Sequence, residues 1–83
     1  MFYVYLLRDR SGKLYVGYSG DLKRRVAEHL QGKVYTSSRM HSPKLVYYEA
    51  YTTEAAAKVR ERKLKQYGSA YQGLLKRLKF MVD

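Results

Sequence analysis

The stretch Phe2–Tyr18, FYVYLLRDRSGKLYVGY, decides the fold. Two runs of β-favouring residues flank the polar turn Asp9-Arg10-Ser11-Gly12, the pattern of an antiparallel hairpin. Strand alternation sends Phe2, Val4 and Leu6 to one face and Tyr3, Tyr5 and Leu7 to the other. The returning strand divides Leu14 and Val16 from Tyr15 and Gly17 in the same way. One face is therefore aliphatic core. The other carries phenol hydroxyls beside a glycine, whose missing side chain leaves room for something to approach the sheet. Such a face calls for a helix, a ligand or both.

Downstream of the hairpin, Ser19-Gly20-Asp21 supplies cap chemistry, and Leu22, Val26, His29 and Leu30 follow at helical spacing. The pattern predicts a helix over about Asp21–Gln31, stopped by Gly32, with Lys23, Arg24 and Glu28 on its exposed side. Residues 32–43, GKVYTSSRMHSP, lack periodicity and hold the single proline, so they read as a loop. Lys44–Tyr51 (KLVYYEAY) is rich in strand formers and adds a third strand. Thr52-Thr53-Glu54 opens a helix running to Tyr67. After Gly68, Ser69 is placed to cap a last helix burying Ala70, Leu74, Leu75 and Leu78, with Lys79–Asp83 expected to fray. The order β-β-α-β-α-α predicts a small α+β domain over residues 1–83, with helices packed around a three-stranded antiparallel sheet.

Composition narrows the function. A chain of 83 residues without cysteine must hold together by packing alone, with no disulfide or thiolate–zinc staple. No apolar run approaches the ~20 residues of a membrane span, so a soluble cytoplasmic protein without a membrane partner is expected. Seventeen Lys and Arg face seven Asp and Glu, a net charge of +10. That field attracts polyanions, nucleic acid ahead of acidic membranes or acidic proteins. Ten tyrosines interleaved with the cations suit a surface where phosphates meet charge and bases stack.

Arg25 and His29 lie four apart and share a helix face at the edge of the apolar stripe. Spacing alone favours the plainer description, a solvated cation and a packing histidine. For metals, only His29 and His41 could serve zinc. A hard ion such as Mg²⁺ needs one or two carboxylates, with waters and substrate phosphate completing its shell. Asp9, Asp21, Glu28, Glu54 and Asp83 fit turn, cap, surface or terminal roles. Glu49 on the third strand stays possible, and Glu61 stands mid-helix on one face with Ala57 and Leu64. Glu61 also fits an ordinary ion pair with Lys65.

In order, these pieces resemble the GIY-YIG nuclease family, in its small single-domain branch. The likeness extends to the N-terminal nuclease domain of the bacterial excision-repair incision subunit. The first motif stands as Tyr3-Val4-Tyr5 and the second as Tyr15-Val16-Gly17. DLKRRVAEH (Asp21–His29) is similar to the family helix in which Arg is followed four residues later by His or Tyr. AKVRERKLK (Ala57–Lys65) matches its Ala…Glu…Leu-Lys helix. Two departures stand out. Tyr3 replaces the first glycine, and GSAYQGLLKRL stands where excision-repair members carry Pro-x-Tyr-Asn, leaving the asparagine role unassigned.

The resemblance implies hydrolysis of phosphodiester bonds with one divalent ion, Mg²⁺ or Mn²⁺, held by Glu61. It makes Tyr15 the general base, with Tyr5 assisting it by hydrogen bonding. Arg25 would stabilise charge on the phosphoryl oxygens, and His29 would orient groups or relay a proton. Lys23, Arg24, Arg39 and Lys65 are the expected nucleic-acid contacts, with DNA favoured over RNA and a role in repair or recombination. A free tyrosine, with its pKa of ~10, needs cationic neighbours to act as a base at neutral pH. A rival description keeps the fold as a nucleic-acid-binding module with weak or absent catalysis. Tyr5 and Tyr15 could also be a simple cross-strand pair, opposite or diagonal according to the turn register. Tyr35, Thr36, Tyr47 and Tyr48 are expected to be structural apart from surface contacts. So small a domain also invites a homodimer or a partner protein.

Overall fold

The computed structural model describes residues 1–32 and 40–82. The elements are β1 (Phe2–Arg8), β2 (Leu14–Ser19), α1 (Leu22–Leu30), β3 (Lys44–Tyr51), α2 (Glu54–Lys65) and α3 (Ser69–Val82). The α+β order matches the expectation. The sheet runs β2-β1-β3, antiparallel throughout, so β1 is central. That placement explains why Val4 through Leu7 are all buried: a central strand between two covered faces has no solvent side to make polar.

The two faces separate as alternation requires. On one, Val4, Leu6 and Val16 join Ala57, Leu64, Leu74 and Leu78 in the core, so α2 and α3 pack there. On the other lies α1. Its start is fixed by Asp21, whose carboxylate accepts from the Arg24 N–H at 3.1 Å. Gly32, with φ of 73°, follows its end. Leu30, expected in the buried stripe, is instead 61% exposed. The short helix settles on His29 as its buried residue, and Leu30 is rotated roughly 100° further round.

Thr53 caps α2, accepting from the Ala56 N–H at 3.2 Å. The α2–α3 corner differs from expectation. Tyr67 takes the left-handed backbone there, with φ of 56°, and the Gly68 carbonyl accepts the first turn of α3 from Gln72. Ser69 is thus inside α3 rather than its cap, and the helical backbone continues past Lys79 to Val82.

Two carboxylates pin the connections. Asp9 accepts from the Ser11 N–H and hydroxyl, the Lys13 N–H and the His41 N–H, tying the hairpin turn to the segment entering β3. Burial would raise its pKa, but these donors outweigh burial and bring it to about 2. Glu49, on the core side of β3, binds Arg60 of α2 through both oxygens at 2.9 and 3.0 Å and accepts from the Tyr47 and Tyr51 hydroxyls. This clamp fixes the rotation of α2 against the sheet, and therefore the direction of its neighbour Glu61.

Candidate active site

The site is built on the face that α1 covers. Tyr5 stands directly opposite Gly17 in the β1–β2 ladder, and Tyr15 is opposite Leu7, so the two phenols are diagonal. Their ring centroids are 6.3 Å apart. The space left by Gly17 is filled from within the chain: a Cβ there would lie 2.5 Å from the Tyr5 oxygen. The glycine makes room for Tyr5 to lie flat across the sheet rather than for an incoming ligand.

From α1, His29 drops onto both rings, with centroids 5.5 Å from Tyr5 and 4.9 Å from Tyr15. His29 is 2% exposed, and its Nε2 is 2.7 Å from the Tyr5 hydroxyl. Arg25, one turn earlier, lies close enough to the same phenol to be held charged by it, and pairs with Glu28 at 3.2 Å. Guanidinium only donates, so a phenol oxygen beside Arg25 is the acceptor toward it and donates its own O–H to His29 Nε2. Burial, reinforced by the charge of Arg25, lowers the His29 pKa and keeps the imidazole neutral as that acceptor. Tyr5 is equally constrained. Burial pushes its pKa up to about 12, against the opposing pull of Arg25, so it holds its proton at neutral pH.

The carboxylate arrives from α2. Glu61 contributes to the electrostatic field at Tyr5 and pairs with Lys65 at 3.2 Å. The Lys65 ammonium in turn sits 5.8 Å from the Tyr15 ring centre. Tyr15, half-buried, is thus flanked by Lys65 on one side and within the field of Arg25 on the other. Tyr5, Tyr15, Arg25, His29 and Glu61, separated by up to 56 positions in sequence, form one linked cluster.

The remaining sequence candidates fall in distinct places. Val4 and Val16 are core. Tyr3 lies on the Tyr5 face, edge-on to Tyr48. Lys23 and Arg24 project from α1 into solvent, and Arg39 lies outside the described residues. Glu49 is no metal ligand, because four donors occupy its oxygens on the opposite face of the sheet. Tyr48, expected to be structural apart from surface contacts, packs edge-on to Tyr3 and is 54% accessible beside Tyr5, an exposure that sequence reasoning did not single out. The signal was present in the alternation of KLVYYEAY, which puts Tyr48 opposite in sense to Tyr47 and Glu49.

The donor set limits the metal. Among the described residues no three His, Cys, Asp or Glu side chains gather as a ligand cluster. A single carboxylate does not suit zinc, but it fits Mg²⁺ or Mn²⁺, which retain waters and take phosphate oxygens.

A family model described as the GIY-YIG catalytic domain matches residues 1–74. The chain belongs to the GIY-YIG family. It is 39% identical over 66 residues to a UPF0213 protein of Staphylococcus epidermidis, covering 78% of this chain and 80% of that one. A UPF0213 protein of Haloquadratum walsbyi is also 39% identical over 66 residues, covering 78% and 74%. The solution NMR structure of a UPF0213 protein from Bacillus halodurans aligns with a TM-score of 0.58 at 33% identity, over 95% of this chain and 86% of that one. GIY-YIG domains are nuclease domains, so nucleic acid is the substrate class. No helix among the described residues is long and apolar enough to cross a membrane.

The buried imidazole of this GIY-YIG domain has a consequence for stability. His29 titrates below its ordinary 6.5 when folded, so below pH 6.5 the unfolded chain binds the extra proton first. Stability from this group is complete above pH 6.5 and is lost as pH falls through the folded value. Asp9 adds a second loss between 3.8 and about 2. Melting temperature should therefore decline in two stages on acidification. In His29→Tyr the upper stage should flatten while the lower remains, as read by thermal melts across the pH range. An unchanged upper stage would reject His29 as its origin.

Proposed function

We propose that this chain is a divalent-metal-dependent endonuclease that hydrolyses phosphodiester bonds in DNA, selects its substrate by strand structure, and serves repair or recombination. The observation that carries the reading is the meeting of Tyr15, Arg25 and Glu61 around the buried Tyr5–His29 pair. In this reading Glu61 would hold Mg²⁺ or Mn²⁺, and the ion would supply electrostatic stabilisation of the charge that builds in the transition state.

The protein's own groups divide the remaining work. Tyr15 is the reachable phenol, and as phenolate it takes one proton from the attacking water and becomes phenol. Lys65 and Arg25 are the cations that lie beside it. Arg25 then faces the phosphoryl oxygens as negative charge grows on them. Tyr5 and His29 are positioning residues. Their mutual hydrogen bond holds the Arg25 head and the floor under Tyr15, and neither is exposed enough to touch DNA.

One observation favours the rival binding module: the Lys65 ammonium sits on Glu61, the position that reading gives the ion. A metal titration separates the two. Labelled branched, nicked and single-stranded DNA is incubated with the protein under increasing Mg²⁺ or Mn²⁺. Metal-dependent cleavage, strongest on one of these forms, is the expected result. Binding without cleavage at any metal concentration would overturn the nuclease reading in favour of the module.

A further inference from the structure

A groove of about 540 Å³ separates the N-terminal half of α1 from β3; Tyr3, Leu22, Lys23, Val26, Leu45 and Tyr48 line it, with the α1 cap Asp21, whose carboxylate accepts from the Arg24 N–H, at its end. It exists because α1 lies over β1 and β2 and leaves the β3 part of that face uncovered. Tyr3 and Tyr48 meet edge to face, with centroids 6.0 Å apart and planes at 65°. Neither belongs to the core, and Tyr48 is 54% exposed although it is the direct cross-strand neighbour of buried Tyr5. The groove and the candidate active site therefore share one face and flank the same helix.

The helix between them is a basic ridge. Lys23, Arg24 and Arg25 are consecutive, and successive helical residues point about 100° apart. Lys23 therefore leans over the groove, Arg24 stands outward, and Arg25 turns into the phenol cluster. A phosphate backbone crossing α1 meets Lys23 first, then Arg24 and Arg25, which share the single carboxylate of Glu28 and so leave the ridge net positive. On a chain of net charge +10 this favours a polyanion over a second copy, which would bring the same charge to the same face.

We propose that the groove is a stacking subsite for one unpaired nucleobase, with Tyr48 as its platform, on a strand whose phosphates cross α1 to the candidate active site. The proposal rests on the nuclease reading for its choice of nucleic acid. It adds the substrate feature: a base already paired and stacked in duplex has no face to offer Tyr48, so the subsite selects strands with an unpaired nucleotide beside the cleavage point. Leu22, Val26 and Leu45 give the base an apolar wall, and Lys23 takes its phosphate.

The test measures binding in EDTA, where no cleavage intervenes. Probes are fluorescein-labelled oligodeoxythymidylate and the same backbone made abasic. Tyr48→Ala should weaken binding of the base-bearing strand about 10-fold, within the ~5–150-fold range of one lost base stack. Binding of the abasic strand should be unchanged. The chain has no tryptophan, so Tyr48→Trp places a single indole in the groove. Its emission should be quenched by the base-bearing strand and not by the abasic one. Equal binding of both strands by the wild type, wild-type affinity in Tyr48→Ala, or an unquenched indole would each overturn the subsite. A Tyr48→Ala protein that changes oligomeric state at unchanged affinity would overturn it in favour of a contact between copies. Quenching without metal-dependent cleavage counts against the nuclease reading alone, whereas cleavage with unaltered Tyr48→Ala binding counts against the subsite alone.

Discussion

Glu61→Ala is expected to abolish metal-dependent cleavage while the protein still folds and binds DNA. A hard ion on one protein carboxylate loses its attachment when that carboxylate goes, and the several kcal/mol it supplies to the transition state correspond to a rate loss on the order of 10³-fold or more. Folding should hardly notice. Glu61 lies within α2, and its ion pair is with the half-exposed Lys65 one turn on, a contact worth about 0.3–0.5 kcal/mol. Alanine is also the better helix former. DNA affinity should hold or rise, since Lys65 is released to meet phosphate. The measurements are turnover at saturating Mg²⁺ and Mn²⁺, a thermal melt, and binding in EDTA. Full activity in the variant would remove Glu61 from the metal assignment.

A single methyl group at Gly17 should do comparable harm by another route. It would lie 2.5 and 2.6 Å from the Tyr5 hydroxyl oxygen and Cζ, and 2.9 Å from Tyr15 Cε1. An exposed side chain could swing away, but Tyr5 is 1% exposed and its hydroxyl is held by His29. Relief requires both phenols to move and the Tyr5–His29 hydrogen bond to stretch. Overpacking and the weakened bond together cost about 2–4 kcal/mol, a fall in Tm on the order of 10–20 °C for a domain this small. Displacing Tyr15 by about 1 Å costs turnover a further ~10²-fold in whatever protein remains folded. Gly73→Ala is the matched control: nothing lies within 4 Å of its added Cβ, so it should be neutral or slightly stabilising. Wild-type melting and turnover in Gly17→Ala would mean that Tyr5 does not lie across Gly17.

These two variants probe different layers of one design. In the proposed function Glu61 acts on the reaction and is almost dispensable for folding. Gly17 acts on the fold and reaches the reaction only through the rings it lets lie flat. The family motif places tyrosine and glycine on neighbouring strands, and the ladder shows why: a flat aromatic ring needs an empty position directly across from it.

What the chain's own order of residues determined was most of the local structure, the α2–α3 corner and the exposure of Leu30 excepted. The hairpin, the two-sided alternation of Phe2–Leu7, the caps at Asp21 and Thr53, and the helix carrying Glu61 all follow from interactions a few positions apart. So did the candidate residues, because motif order survives without coordinates. Only the tertiary structure decided that β3 crosses back to pair with β1, making β1 central and burying Tyr5 beneath α1. That one pairing separates the roles of the phenols, since Tyr5 became a buried hydrogen-bond carrier and Tyr15 the reachable one. It also put Glu49 on the opposite face under Arg60, and left Tyr48 bare beside the ridge of α1. Alternation tells Tyr48 from Glu49, but which side is buried and by what is not legible from spacing, because the free energy that fixes it comes from surfaces that meet only after distant segments have packed.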